Sequence, residues 1–267
     1  MPQTVALHFQ RSGTGAAIVI LHGLFGASRN WRAIASKLAT NFSVVTVDLR
    51  NHGASPHAAR MDYEVIADDL SALLEELDLH DVTLIGHSMG GKAAMTLALR
   101  EPGRIARLVV IDIAPGRYPN EYEELLAAMM DLDLSSITRR AEADARLARA
   151  IPESEVRLFI LQDLRFSAAE SPSWRMNLAA IGEGIEALVG AIPCDESARF
   201  ERPTYFIRGV ESARIRDRDI ADIEHHFPSY RVIAIPDAGH WPHVENPSQF
   251  LAELRRVLAG EGEKTVS

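Results

Sequence analysis

Gly86-His87-Ser88-Met89-Gly90-Gly91 joins an apolar run at residues 82–85 to a run with helical spacing at residues 92–99. When a serine occupies a sharp turn between a strand and a helix, its hydroxyl is exposed. Glycine suits the flanking positions because larger side chains would collide there. The first N–H groups of the following helix have no acceptor within the helix, so they can stabilise an oxyanion near the serine. This stretch therefore predicts a nucleophilic serine at position 88.

Strand and helix patterns alternate on both sides of this turn. Apolar, strand-sized runs are expected at residues 17–21, 42–47, 82–85, 108–111, 204–207 and 231–235. Helical spacing separates them at residues 31–38, 63–77, 92–99 and 218–226, and a last helix is expected at residues 247–258. Strands that are apolar throughout and separated by helices form parallel sheets covered on both faces. The predicted fold class is therefore α/β, with a mostly parallel central sheet and helices on both faces.

The alternation stops between residues 114 and 198. This segment shows no convincing strand, and its pattern predicts helices at residues 121–132, 137–150, 153–164 and 174–192. We predict a core formed by residues 1–113 and 199–267, interrupted by a helical cap at residues 114–198. Two tandem domains are disfavoured, because the C-terminal third would then have to form a sheet from only two strands.

A serine needs a base to act as a nucleophile, and His240 is the predicted base. It follows the last strand, sits in a Gly-His turn and precedes the final helix, so its loop can cross the strand ends toward Ser88. An oxyanion hole needs two backbone N–H groups. We predict Met89 as one donor and Leu24, in the loop after the first long strand, as the other, with Phe25 as the alternative.

Four motifs resemble those of the α/β-hydrolase superfamily. They are His22-Gly23-Leu24-Phe25-Gly26, Asp48-Leu49-Arg50-Asn51-His52-Gly53, the serine stretch itself, and Asp237-Ala238-Gly239-His240-Trp241. Gly91-Lys92 and Asp112-Ile113-Ala114-Pro115 resemble more narrowly the small YbfF-type acyl esterases. The resemblance covers nearly the whole chain and is weakest across the predicted cap. It implies hydrolysis of esters or thioesters by a serine nucleophile, with neither a metal nor an organic cofactor.

The acid of the catalytic triad departs from the common pattern of this superfamily. The acid usually lies three residues beyond a glycine after the strand that follows the cap, and here that place holds Ser212. Some α/β-hydrolases take the acid from the strand before the cap, which ends at Asp112. Any carboxylate that reaches the histidine can fix its tautomer. Asp112 is the predicted acid and Glu211 the alternative.

The predicted cap is rich in large apolar residues, which suits an acyl chain better than a charged substrate. Phe25, Trp241 and Tyr118 are the predicted substrate-binding residues. The leading hypothesis is a serine carboxylesterase or thioesterase that acts on small to medium acyl groups, with a small-molecule ester or thioester as its partner. Two alternatives remain: an acyl-CoA thioesterase or carbon–carbon bond hydrolase with the same triad, and a weakly hydrolytic ligand-binding protein of the same fold.

Composition narrows the class of protein further. The chain has 267 residues and a formal net charge of -9 at pH 7. This charge argues against nucleic-acid binding, which needs a basic face, and against attachment to anionic lipid. The single cysteine, Cys194, allows no disulfide framework and no thiolate metal site. The apolar runs of the chain are too short to span a bilayer. We predict a cytoplasmic protein, either a monomer or a homodimer.

Overall fold

The computed structural model describes residues 4–167 and 171–261. Seven of the strands in these ranges form one sheet, and two short ones form a separate pair. The strands are β1 (Phe9–Ser12), β2 (Ala17–Leu21), β3 (Ser43–Val47), β4 (Val82–His87), β5 (Ile105–Ile111), β6 (Leu164–Arg165), β7 (Ser173–Trp174), β8 (Thr204–Gly209) and β9 (Tyr230–Ile235).

The large sheet has the strand order β1-β3-β2-β4-β5-β8-β9. Every pairing in it is parallel except that of β1, which runs antiparallel to β3 at one edge. The mostly parallel sheet predicted from the sequence is therefore confirmed. The pattern analysis missed β1, because its Phe9-Gln10-Arg11-Ser12 sequence is polar and largely exposed, as suits an edge strand.

Helices cover both faces of the sheet, as the sequence predicted. The helices are α1 (Arg32–Leu38), α2 (Tyr63–Glu76), α3 (Met89–Arg100), α4 (Glu123–Met130), α5 (Arg140–Leu147), α6 (Ser154–Leu161), α7 (Leu178–Val189), α8 (Ile220–His226), α9 (Pro242–Glu245) and α10 (Pro247–Leu258). One apolar cluster joins α2 and α3 to the sheet, and a second joins α1 and α10 to its opposite face. The amphipathic α2 begins where Asp62 accepts a hydrogen bond from the Val65 N–H (3.1 Å).

Helices α4 to α7 lie between β5 and β8 and surround an apolar cluster of their own. The expectation that residues 114–198 hold no strand was wrong, because β6 and β7 pair there. Two-residue strands show no detectable alternation, so only the tertiary pairing defines them. The predicted helix at 174–192 was also misplaced: Trp174 belongs to β7, and α7 starts after Asn177, whose side chain accepts from the Ala180 N–H. The division into core and cap stays a prediction.

Polar contacts join this inserted segment to the sheet at two places. In α3, the buried Lys92 amine donates to the carbonyl oxygens of Gly116, which precedes α4, and of Gly190, which follows α7. Farther away, Arg29 Nη2 lies 2.9 Å from a carboxylate oxygen of the fully buried Asp163, just beyond α6. These two contacts attach the inserted segment to α3 and to the 3-10 turn Ser28–Trp31.

A buried ion pair holds α2 against the loop that follows β3. Arg50 Nε and Nη2 donate to the two carboxylate oxygens of Asp69 at 2.6 and 2.8 Å, and both side chains are almost completely excluded from solvent. Asp69 also accepts from the Val5 N–H (2.8 Å). A bidentate pair of this kind offsets its desolvation only while both partners are present.

We expect Asp69→Ala to destabilise the protein by about 3–5 kcal/mol, because it removes the carboxylate that forms a bidentate pair with the buried Arg50 guanidinium. Urea denaturation followed by circular dichroism measures the change. The matched control is Glu64→Ala, which removes the exposed ion pair with Arg60 and should cost less than about 1 kcal/mol. Equal losses in the two variants would contradict the interpretation.

Candidate active site

The turn between β4 and α3 is closed by backbone contact. A Cβ atom on Gly86 would lie 2.1 Å from the Gly90 carbonyl oxygen, and one on Gly90 would lie 2.5 Å from the His22 carbonyl oxygen. Neither position can accommodate a side chain without movement of the backbone. Ser88, between them, has a φ of 51°, a region that non-glycine residues rarely adopt and that is found at functional sites. The tight turn thus fixes the direction of the Ser88 side chain.

Three polar side chains from separate strand ends meet at this turn. His240 Nε2 lies 3.1 Å from Ser88 Oγ, and His240 Nδ1 lies 2.8 Å from Asp112 Oδ2. Asp112 follows β5, the neighbour of β4, and is fully buried, while the His240 side chain is 21% exposed. The structure therefore aligns the hydroxyl, imidazole and carboxylate in one hydrogen-bonded line.

Asp112 is held by two further hydrogen bonds. The Gly209 N–H donates to Oδ1 (3.2 Å), and the Ser212 hydroxyl donates to Oδ2 (2.5 Å). Asp112 itself has a φ of 51°, which turns its carboxylate across the strand ends toward β8 and the His240 loop. Glu211, the alternative acid, has an exposed side chain, and its N–H donates to the Ala238 carbonyl (2.9 Å). The geometry thus brings Asp112, and not Glu211, to the histidine.

The candidate oxyanion donors differ in their availability. Met89 is the first residue of α3, where N–H groups have no acceptor within the helix. The Phe25 N–H donates to His52 Nε2 at 3.3 Å, so it is already engaged. Leu24 lines the same cavity as Ser88. Of the two N–H groups considered in the loop after β2, the geometry therefore favours Leu24 over Phe25.

Buried imidazoles surround the triad. His87 Nε2 donates to the carbonyl oxygen of His240 (2.8 Å), and its ring lies 4.8 Å from the rings of both His240 and His243. Burial lowers the pKa of His52 and of His243 to about 3, and it also lowers the pKa of His22 and His87. A buried imidazolium would lose its hydration, so these four rings are neutral at physiological pH.

A cavity of about 620 Å³ opens in front of Ser88 and His240, and we call it the catalytic cavity. Its size is typical of small-molecule sites. Most of its walls come from apolar side chains of the inserted segment, of the loop after β2 and of the residue after His240: Leu24, Phe25, Tyr122, Leu125, Ile151, Val156, Phe159 and Trp241. Glu124 and Glu153 also line it, as do Glu121 and Arg214, which pair with each other (3.0 Å).

The predicted substrate residues do not share one environment. Phe25 and Trp241 line the catalytic cavity. Tyr118 is buried and borders a much smaller space beside Ser88 and Lys92. Its hydroxyl donates to the Arg214 carbonyl and accepts from the Ala114 N–H (2.8 Å). Tyr118 therefore braces the loop after β5 and is absent from the wall of the large cavity.

Sequence reasoning missed two contacts that hold the triad in place. Ser212 was noted only as a residue in the usual place of the acid, whereas its hydroxyl bonds Asp112. No contact was predicted for His87, whose ring donates to the His240 carbonyl oxygen and so supports the His240 loop. The position of Ser212 after Gly209 could have signalled its contact, because a hydroxyl at the usual place of the acid faces the same histidine. Nothing in the sequence signalled the partner of His87.

Residues 4–167 and 171–261 contain no cluster of three or more His, Cys, Asp or Glu side chains that could hold a metal ion. Within the same part of the chain, no helix combines the length and the apolar character needed to cross a membrane.

Comparison with known proteins identifies the family of this chain. A family model described as alpha/beta hydrolase fold matches residues 16–247. The chain belongs to the α/β-hydrolase family. The resemblance and the fold class inferred from the sequence are thereby confirmed.

Relatives of this α/β-hydrolase are similar over most of its length. The sn-1-specific diacylglycerol lipase ABHD11 of Danio rerio is 37% identical over 258 residues, which cover 94% of this chain and 80% of that protein. Esterase YbfF of Escherichia coli (strain K12) is 34% identical over 250 residues, 93% of this chain and 95% of its own. The solved structure of a marine microorganism esterase has a TM-score of 0.91 at 34% identity, covering 95% of this chain and 99% of that one. The α/β-hydrolase is accordingly a carboxylesterase-type enzyme.

Lys92, one turn after Ser88, should make the stability of this α/β-hydrolase depend on pH. Burial lowers the pKa of its amine from 10.5 to about 7. Between about pH 7 and 10, the unfolded chain therefore binds a proton that the folded protein does not, so stability rises with pH by up to about 1.4 kcal/mol per unit from this group.

We expect the difference in unfolding free energy between wild type and Lys92→Met to increase from pH 7 to pH 9. Urea denaturation at several pH values measures it. Lys37→Met is the control, because Lys37 is exposed on α1 and its removal should leave the pH profile unchanged. Parallel profiles for wild type and Lys92→Met would contradict the assignment.

Proposed function

We propose that this α/β-hydrolase is a serine esterase that cleaves neutral esters of small to medium acyl groups through an acyl-enzyme. The observation that carries the proposal is the continuous line from Ser88 Oγ to His240 Nε2 (3.1 Å) and from His240 Nδ1 to Asp112 Oδ2 (2.8 Å). In this proposal Ser88 is the nucleophile, His240 the general base and Asp112 the acid that orients the imidazole.

The chemistry follows in two halves. Ser88 Oγ attacks the carbonyl carbon while His240 Nε2 takes the hydroxyl proton, and a tetrahedral intermediate forms. The bond to the alcohol oxygen then breaks, that oxygen takes the proton from His240, and the acyl group stays on Ser88. In the second half His240 removes a proton from water, the resulting hydroxide attacks the acyl carbon, and the proton returns to Ser88 Oγ as the acid leaves.

Backbone donors stabilise the negative charge of both tetrahedral intermediates in this scheme. Met89 N–H, at the start of α3, is one proposed donor and Leu24 N–H the other. The engagement of the Phe25 N–H with His52 supports Leu24 over Phe25. The partial positive charge at the N-terminus of α3 adds to the same stabilisation.

The lining of the catalytic cavity favours the binding of neutral acyl groups. Leu125, Ile151 and Val156 provide apolar contact for an acyl chain, whereas Glu124 and Glu153 would repel a second carboxylate on the acyl arm. The lipase and esterase names of the relatives agree with neutral ester substrates. We therefore propose monocarboxylic acyl esters as the substrate class.

We expect wild type to hydrolyse p-nitrophenyl esters of graded acyl length, and Ser88→Ala to lose at least about a thousandfold in kcat/KM. Release of p-nitrophenol measures both, and the melting temperature of the variant shows whether it folds. A folded Ser88→Ala variant that is as active as wild type would contradict the assignment of Ser88 as the nucleophile. Inactivity of wild type on every ester would contradict the proposed esterase function.

The acid is tested by two matched amide substitutions. We expect Asp112→Asn to lower kcat by about 10³- to 10⁴-fold, because an amide cannot fix the productive tautomer of His240 or stabilise its imidazolium form. Glu211→Gln is the control. Its kcat should stay within about twofold of the wild-type value, because the Glu211 side chain is exposed. The reverse order of effects would assign the role to Glu211.

A further inference from the structure

A second cavity of about 620 Å³ lies beside the catalytic cavity and has no role in the mechanism described above. Its walls come from the loop after β2, the 3-10 turn Ser28–Trp31, α6 and the residues that follow His240. Its apolar lining consists of Trp31, Leu158, Phe159, Trp241 and Val244. The volume falls within the range of sites that bind small molecules.

The two cavities meet next to the nucleophile. Gly23, His87, Phe159 and Trp241 line both of them. A Cβ atom on Gly23 would lie 3.3 Å from the Cβ of Ser88, so the second cavity begins within one residue of the reacting hydroxyl. The rings of Phe159 and Trp241, with centroids 5.9 Å apart, form the rest of the boundary. A substrate at Ser88 therefore lies next to the boundary between the two cavities.

The polar residues of the second cavity are largely engaged elsewhere. Arg29 pairs with Asp163 (2.9 Å), the Asn30 side-chain amide donates to Gln162 (3.0 Å), and Glu245 accepts from the Gly239 N–H. Apart from Glu155 and the buried Nδ1 of His243, which has no hydrogen-bond partner among the described residues, the surface left for a ligand is therefore mainly apolar. Leu158 and Val244 are 60% and 62% exposed, which places them where the cavity opens to solvent.

The position of His240 decides which half of an ester fits this space. When the tetrahedral intermediate collapses, the bond from the carbonyl carbon to the alcohol oxygen breaks, and His240 Nε2 gives its proton to that oxygen. The alcohol must therefore lie on the His240 side of the site. Trp241 follows His240, their rings are 5.7 Å apart, and Val244 and Glu245 continue this wall in α9.

We propose that the second cavity binds the apolar alcohol arm of the ester, while the acyl arm occupies the catalytic cavity. The ligand class is an ester of an aliphatic or aryl alcohol of about four or more carbons. This inference rests on the proposed esterase function. It also gives the released alcohol its own exit past Leu158 and Val244, while the acyl group remains covalently bound to Ser88.

Val244→Trp tests the proposal, because it narrows the opening of the second cavity at an exposed position of α9. Two ester series are compared by titration of the released acid: acetates of ethanol, butanol and hexanol, and ethyl esters of acetic, butyric and hexanoic acid. We expect the hexyl-to-ethyl ratio of kcat/KM for the acetates to fall about tenfold, since apolar contact for the alcohol is lost. The ratio for the acid series should match that of wild type.

Val156→Trp is the matched control, because Val156 lines only the catalytic cavity of the two. It should lower the hexanoate-to-acetate ratio and leave the alcohol ratio as in wild type, and Leu158→Trp should repeat the result of Val244→Trp. The proposal is overturned if Val244→Trp lowers only the hexanoate-to-acetate ratio of kcat/KM, lowers this ratio and the hexyl-to-ethyl ratio equally, or changes neither ratio. The proposed esterase function is unaffected by any of these results. If wild type has no activity that depends on Ser88, both proposals fall.

Discussion

The close backbone approach of Gly86 to Gly90 is the constraint on which the arrangement of this site depends. It forces Ser88 into a positive φ, holds its side chain outward and starts α3 at the next residue. Because β4 lies at the centre of the sheet order, its neighbours on both sides end beside the serine. The loop after β2 lies on one side, and Asp112 after β5 lies on the other. Parallel topology thus gathers groups that are distant in sequence at one edge.

Charge is confined to few groups around this turn. Burial keeps His22, His52, His87 and His243 neutral, so none of them repels a proton that arrives on His240. Such a proton would be stabilised by the Asp112 carboxylate, which accepts three hydrogen bonds and is fully buried. The buried histidines thus serve as neutral donors and acceptors that orient loops, as His87 does for His240.

Local signals in the sequence were enough to predict the sheet, its covering helices and the serine turn. Each of these depends on neighbouring residues: apolar runs, helical spacing, and glycines at a turn. The sequence favoured Asp112 over Glu211 as the acid but left Glu211 as an alternative, because their positions depend on how β5 pairs with β8 and on the path of the loop that follows. The same limit explains Trp174, whose short strand exists only through its pairing with Leu164.

The inserted segment and the sheet control different properties of the site. Ser88, His240 and Asp112 stand on strand ends whose positions the sheet fixes, whereas α6 contributes Phe159, which lies at the boundary of the two cavities. The end of α6 is held by contacts of Asp163 with Arg29 and of Gln162 with Asn30, both from the turn that also lines the second cavity. A change in the sequence of α6 would therefore alter the relative size of the two cavities without moving the triad. Substrate preference can thus vary independently of the chemistry in this structure.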